Sequence, residues 1–290
     1  MRLRTEITIS KSSLTLDPSL PVACVGSCFA DNVAAKMESC GWEAVRPLGV
    51  LYNPLSIAGA LRLCLVSDTP GQTFEESLFS HEGQVHSWLF DSRCSSALRE
   101  ECLQKFSEKS AAFSGALKRG HTLIVTFGTS YCYFLADMPD YVVANCHKVS
   151  DKNFIRRRIS VEEITSCWRN LLKELKSRFS NLQVIFTVSP VRHTRDGLHC
   201  NNLSKAVLLL AVEELCKAFD FCTYFPAYEM LNDDLRDYRF YADDLVHPSS
   251  MAIEYIWQNF RAAYLDPNGI ETLRQREKEI RLNNHRPIIK

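Results

Sequence analysis

Val22-Ala23-Cys24-Val25-Gly26-Ser27-Cys28-Phe29-Ala30 is a short apolar run that breaks at a Gly-Ser pair and passes directly into a helical pattern over Asp31 to Met37. Such a run reads as a buried strand feeding a helix. Ser27 then stands at the mouth of that helix, where unbonded backbone N–H groups and the helix dipole favour negative charge. A tetrahedral oxyanion formed at its hydroxyl would meet donors already in place. An ordinary helix cap is the structural alternative for a serine at this point. Near the other end, Asp243-Asp244-Leu245-Val246-His247-Pro248 sets a carboxylate three residues before an imidazole. One turn at that spacing can seat the two side by side and leave the second ring nitrogen for a serine. The chain order is then Ser27, Asp244, His247, with Asp243 as the alternative acid.

Between these ends, apolar strands alternate with helices at least four times, the pattern of a parallel sheet covered by helices on both faces. Strands are expected at Glu43–Pro47, His121–Thr126, Gln183–Val188 and Phe221–Phe225, and also over the alternating start Met1–Ile9. Helices are expected from Ser56 to Leu65, from Ser95 or Ser96 to Arg119, from the capping box at Ser160 to Phe179, from Leu203 to Phe219 and from Met251 to Tyr264. Leu78 to Phe90 reads as a small hairpin, and Tyr131–Leu135 and Tyr141–Ala144 as two further β-rich runs. Arg156-Arg157-Arg158 reads as a solvated loop or helix start. In sheets of this kind, sites form at the carboxyl ends of strands. The punctuated ends are Gly26-Ser27, Gly49, Gly128-Thr129-Ser130 and Ser189-Pro190, all on one rim. Residues 1–265 form the expected main domain, and 266–290 a charged helical tail.

Composition bounds the function. The 290 residues carry 34 Lys and Arg against 34 Asp and Glu, which argues against a sequence-wide electrostatic claim on nucleic acid or anionic membrane. The longest apolar stretch, Ala206 to Val212, is far short of the roughly 20 residues that span a bilayer. The start has no secretory apolar region. The 12 cysteines are scattered with no C-x-x-C pair, and read as reduced thiols in a cytoplasmic protein. No cofactor motif is present, and no helical H-x-x-x-H or H-E-x-x-H supports a metal.

Gly26-Ser27-Cys28-Phe29-Ala30 resembles the signature for which the GSCFA family is named. The resemblance extends to Asn145-Cys146-His147-Lys148, Ser189-Pro190-Val191-Arg192-His193 and Arg239 to Pro248. That family is in turn similar to the SGNH (GDSL-like) hydrolases, esterases, lipases and carbohydrate acetylesterases on a three-layer, flavodoxin-like α/β/α fold. The resemblance implies Ser27 as nucleophile, His247 as base and Asp244 as orienter. It also implies an oxyanion hole built from Ser27, a glycine and an asparagine. Gly49 is the glycine by position, with Asn53 close behind it. Where the wider superfamily carries Asn, this chain has Ser130, so Ser130 or Asn145 is the candidate side-chain donor. Neither an Asp between Gly26 and Ser27 nor a G-x-S-x-G elbow is present.

The expected activity is hydrolysis of an O-acyl ester on a carbohydrate or small molecule through an acyl-Ser27 intermediate. Alternatives are an O-acyltransferase with the same triad and a ligand-binding module that turns nothing over. Cys28 is a competing nucleophile at the helix N-terminus. Asn53, Gly128, Thr129, His147 and His193 are candidate substrate contacts. Structural turns are the alternative for Asn145, His147 and His193.

Overall fold

The computed structural model describes residues 5–283. In chain order the elements are β1 (Val22–Gly26), α1 (Cys28–Ser39), β2 (Ala44–Val45), α2 (Pro54–Leu65), α3 (Pro70–Glu76), β3 (Leu78–His81), β4 (Gln84–Ser87), α4 (Arg99–Gly120) and β5 (Thr122–Phe127). There follow β6 (Tyr131–Leu135), β7 (Val142–Val143), β8 (Phe154–Arg158), α5 (Val161–Arg178), β9 (Gln183–Val188), α6 (Gly197–Ala218), β10 (Cys222–Phe225), α7 (Ala227–Glu229), α8 (Ser250–Tyr264) and α9 (Pro267–Asn283). The main sheet runs β2-β1-β5-β9-β10 and every pairing in it is parallel. This is the flavodoxin-like order, whose direction reverses between the first and third strands and opens a crevice at their carboxyl ends. Gly26 and Thr126 are register partners at that crevice.

Strand alternation divides the core into two layers. Val25, Val125, Phe127, Val184 and Phe186 pack with Leu61 of α2, Leu117 of α4, Trp168 of α5 and Leu208 of α6. Val22, Cys24, Ile124 and Ile185 pack on the opposite face with Met37 of α1, Trp257 and Phe260 of α8 and Leu273 of α9. The fold is therefore three-layer α/β/α, as expected. The Leu78 hairpin forms as β3 and β4, and a separate antiparallel sheet runs β7-β6-β8. Helix α9 lies on the body of the protein: Leu273 is fully buried, and the Arg276 guanidinium donates to the carbonyls of Pro18 (2.8 Å) and Gly41 (3.2 Å). Residues 284–290 of the expected tail lie outside the described residues. Among the described residues, no helix is long and apolar enough to cross a membrane, and all 12 cysteines are free.

Several sequence expectations shift. Residues 5–9 are irregular rather than a strand, and residues 1–4 of that run lie outside the described residues. The arginine run is no loop but most of β8: the Arg156 guanidinium stacks 4.2 Å from the Tyr131 ring centroid and Arg157 4.6 Å from that of Phe134. Planar guanidinium groups stack on aromatic rings in this way, and that of Arg156 is also held by a two-point ion pair with Asp196 at 2.8 and 2.6 Å. Asn53, not Ser56, caps α2, because Pro54 takes the first helical position. Helix α4 starts at Arg99, since Ser96 is held in a bridge to Val85. Helix α6 starts earlier than expected, at Gly197.

Gly26 has φ +136°, and a Cβ there would lie 2.2 Å from the Thr126 carbonyl oxygen. Gly59, inside α2, has nothing within 4 Å of the same position. Urea unfolding should therefore separate two glycine-to-alanine changes. Gly26→Ala loses about 3 kcal/mol or more through strain and overlap, whereas Gly59→Ala gains about 0.5–1 kcal/mol. Equal midpoints would contradict this account of the strand ends.

Candidate active site

Ser27 is the N-cap residue of α1 by backbone geometry (φ −69°, ψ 170°), yet its side chain makes no capping bond. Its Oγ is buried and has no hydrogen-bond partner, while its N–H donates to the Thr126 carbonyl at 3.1 Å. Serines at N-caps ordinarily spend the hydroxyl on a backbone N–H two or three residues on. This one is left free at the positive end of a helix.

Asp244 and His247 meet as the spacing predicts. One carboxylate oxygen accepts from His247 Nδ1 at 2.6 Å; the other accepts the backbone N–H groups of Val246 and His247, both at 2.9 Å. Leu245 takes the left-handed φ of +57° that closes the turn. The backbone donors of His247 and Val246, and then the imidazole, hold the Asp244 carboxyl down at about 2. The carboxylate selects the Nδ1–H tautomer and leaves Nε2 as the acceptor. It is Asp244, not Asp243, that makes this contact.

His247 lines a cavity of about 340 Å³, together with Cys28, Tyr52, Asn53, Thr129, Tyr131, Tyr133, Arg156, Arg192, His193 and Arg195. Ser27 is only 1% exposed and is absent from that lining, although its neighbour Cys28 is part of it. Burial, reinforced by Asp31, pushes the Cys28 thiol up, which keeps it protonated. Gly128 lies against the serine: a Cβ on it would be 3.1 Å from Ser27 Cβ and 3.4 Å from His193 Nε2. His193 Nε2 is buried and unpartnered. Its ring stands edge-on to Tyr52, and burial, with Lys205 and Arg156 nearby, pushes it down to about 4.

The remaining candidates are committed in other ways. Gly49 (φ +79°) sits against the Asp91 carboxylate, which accepts from the Val50 N–H at 2.8 Å. The Asn53 amide caps α2 through Ser56, though the residue lines the cavity. The N–H groups of Gly128 and Thr129 both donate to the Tyr52 carbonyl, at 2.8 and 3.0 Å. Ser130 is fully buried and its hydroxyl and N–H both engage Ser204 of α6. Asn145 Oδ1 accepts from the His147 N–H, and neither residue lines the cavity. The His147 ring bonds the carbonyls of Ser87 (2.9 Å) and Phe90 (3.1 Å) beneath the hairpin.

Sequence reading missed the support under the site. Lys205 is 1% exposed, and its Nζ donates to the Gly128 (2.6 Å) and Ser189 (2.7 Å) carbonyls, tying the ends of β5 and β9 together. Asn201 Oδ1 accepts from the His193 N–H at 2.9 Å. The signal was present: Asn201, Ser204, Lys205 and Leu208 follow helical spacing on the buried face of α6. Of the arginines of the cavity, Arg156 is hidden by a run that reads as solvated, Arg192 stands in a block that carries the family resemblance without a role of its own, and Arg195 has no local signal.

The GSCFA family model matches residues 21–260, and the chain belongs to the GSCFA family. No curated protein matches it. Two solved structures are similar: a family 3 carbohydrate esterase from Clostridium thermocellum (8% identity, TM-score 0.38, 88% of this chain and 98% of that one), and one from Talaromyces cellulolyticus (9%, 0.36, 88% and 97%).

Burial pushes Lys205 down from 10.5 to about 7. Between those values the unfolded chain holds a proton that the folded chain lacks, so stability from this group rises with pH across that window. The stability difference between the natural protein and Lys205→Met should shift by about 1–3 kcal/mol toward the natural protein from pH 7 to 9.5. A difference that stays flat with pH in denaturant titrations would contradict a depressed lysine.

Proposed function

We propose that the protein is an ester hydrolase that works by acyl transfer through Ser27. One observation carries this reading: the Ser27 hydroxyl does not cap its own helix, and an oriented Asp–His pair stands on the same rim. In the proposed cycle His247 Nε2 takes the serine proton as Oγ attacks the ester carbonyl. The tetrahedral intermediate collapses, the leaving alkoxide takes that proton, and acyl-Ser27 remains. Water, activated by the same imidazole, then releases the acid. Asp244 keeps the ring in register and stabilises the imidazolium throughout. Ser27 and His247 share no hydrogen bond in the unliganded geometry; such contacts often tighten only when substrate binds.

The cavity supports a short acyl group on a compact polar alcohol such as a sugar. Tyr52, Tyr131 and Tyr133 line it together with Arg156, Arg192 and Arg195, and no carboxylate is part of the lining, although Asp196 and Asp151 hold Arg156 and Arg195 from behind. The free cysteines support a reducing, cytoplasmic setting. The charged tail is read as an appendage packed on the main domain, a reading the α9 contacts support.

Initial rates on p-nitrophenyl acetate and on acetylated sugars test the reading. Ser27→Ala and His247→Ala should each lose at least about 10³-fold in kcat/KM, with Asp244→Asn also severely impaired. Ser27→Ala retaining turnover would sink the nucleophile. Saturable ligand binding without turnover of any ester would favour a binding module, and acyl transfer to an added sugar in preference to water would favour a transferase.

A further inference from the structure

The oxyanion of the proposed intermediate needs donors, and the side chains the sequence offered for it are spent. Ser130 is turned into α6, Asn145 accepts from the His147 backbone outside the cavity, and the Asn53 amide is bonded to Ser56. The Ser27, Gly128 and Thr129 N–H groups are bonded to carbonyls. Beside Ser27, in addition to the N–H groups that open α1, stands His193 Nε2, a buried and unpartnered ring nitrogen across the gap left by the missing side chain of Gly128.

We propose that His193 is a catalytic residue whose neutral imidazole donates its Nε2–H to the oxyanion formed on Ser27. The assignment rests on Ser27 as nucleophile. Donation moves no proton: the Nε2–H stays on His193 while the serine proton goes to His247. The two imidazoles are set apart by their surroundings. His247 has a carboxylate on Nδ1 to stabilise the charged ring. Among the described residues none places a carboxylate on His193; burial, and then Lys205, Arg156 and His247 around it, disfavour a second positive charge, and the Tyr52 ring stands edge-on beside it. A histidine that stays neutral suits a donor and not a base. The ring is held ready: its backbone N–H is fixed by Asn201, and its edge-on contact with Tyr52 has a centroid separation of 5.7 Å. Preorganised donors of this kind cost no rearrangement when charge develops.

The test compares kcat and KM on p-nitrophenyl acetate for the natural protein, Ser27→Ala, His193→Ala and His193→Gln, with melting curves for each. Losing one such donor costs about 10²-fold or more in kcat. His193→Ala should fall by that amount with KM within about threefold. His193→Gln should regain about tenfold, because its amide nitrogen reaches toward the Nε2 position but cannot act as a base. An inactive Ser27→Ala beside a His193→Ala within threefold of the natural rate overturns the donor while leaving the nucleophile intact. A His193→Gln no better than His193→Ala also overturns it. An active Ser27→Ala overturns both. Should the variants fail to fold, ¹⁵N NMR of the natural protein phosphorylated on Ser27 decides: a neutral His193 with its proton on Nε2 is expected, and a proton on Nδ1 alone contradicts the assignment.

Discussion

The contact on which the site depends is the approach of Gly26 to Thr126 at the ends of β1 and β5. No side chain fits there, and the next N–H, that of Ser27, closes onto the Thr126 carbonyl. The two strands are held together up to the point where their chains part, β1 into α1 and β5 into the Gly128 turn. A reversal of strand order opens a crevice at such a point. The serine is thereby set between a helix N-terminus and a glycine that leaves room on its other side. A fold that merely needed a helix start would have used the hydroxyl as a cap.

The rim needs support from below, and α6 supplies it with an uncommon buried face. Asn201 holds the His193 backbone, Ser204 gathers Thr129 and Ser130, and Lys205 ties the Gly128 and Ser189 carbonyls. Two carbonyls that no strand partner reaches are satisfied by one amine, at the desolvation cost that pushes the lysine down. Burial first, and then Lys205 and Arg156 beside it, keep His193 uncharged. One helix face thus holds the strand ends and contributes to the electrostatics of the imidazole.

Much of this was legible in the sequence, for physical reasons. Buried parallel strands are continuous apolar runs, so β5 and β9 could be read almost to the residue. The Ser160 capping box carries its own local chemistry, and so does the three-residue turn between Asp244 and His247. What stayed hidden depends on long-range contacts. Whether Ser130 or Asn145 faces the cavity is decided by Ser204 and by the His147 turn, neither of which local spacing reveals. The arginine run reads as solvent-exposed until the aromatic face of β6 comes to lie beneath it. His147 looked like a rim residue, but its ring packs under the hairpin, 4.4 Å from that of His86.

The most direct test of an activated serine is reaction with a fluorophosphonate, the adduct mapped by mass spectrometry in the natural protein and in His247→Ala. The account predicts one adduct, on Ser27, forming at least about tenfold more slowly when the imidazole is removed. No adduct on folded protein, or an adduct on another residue, would contradict it.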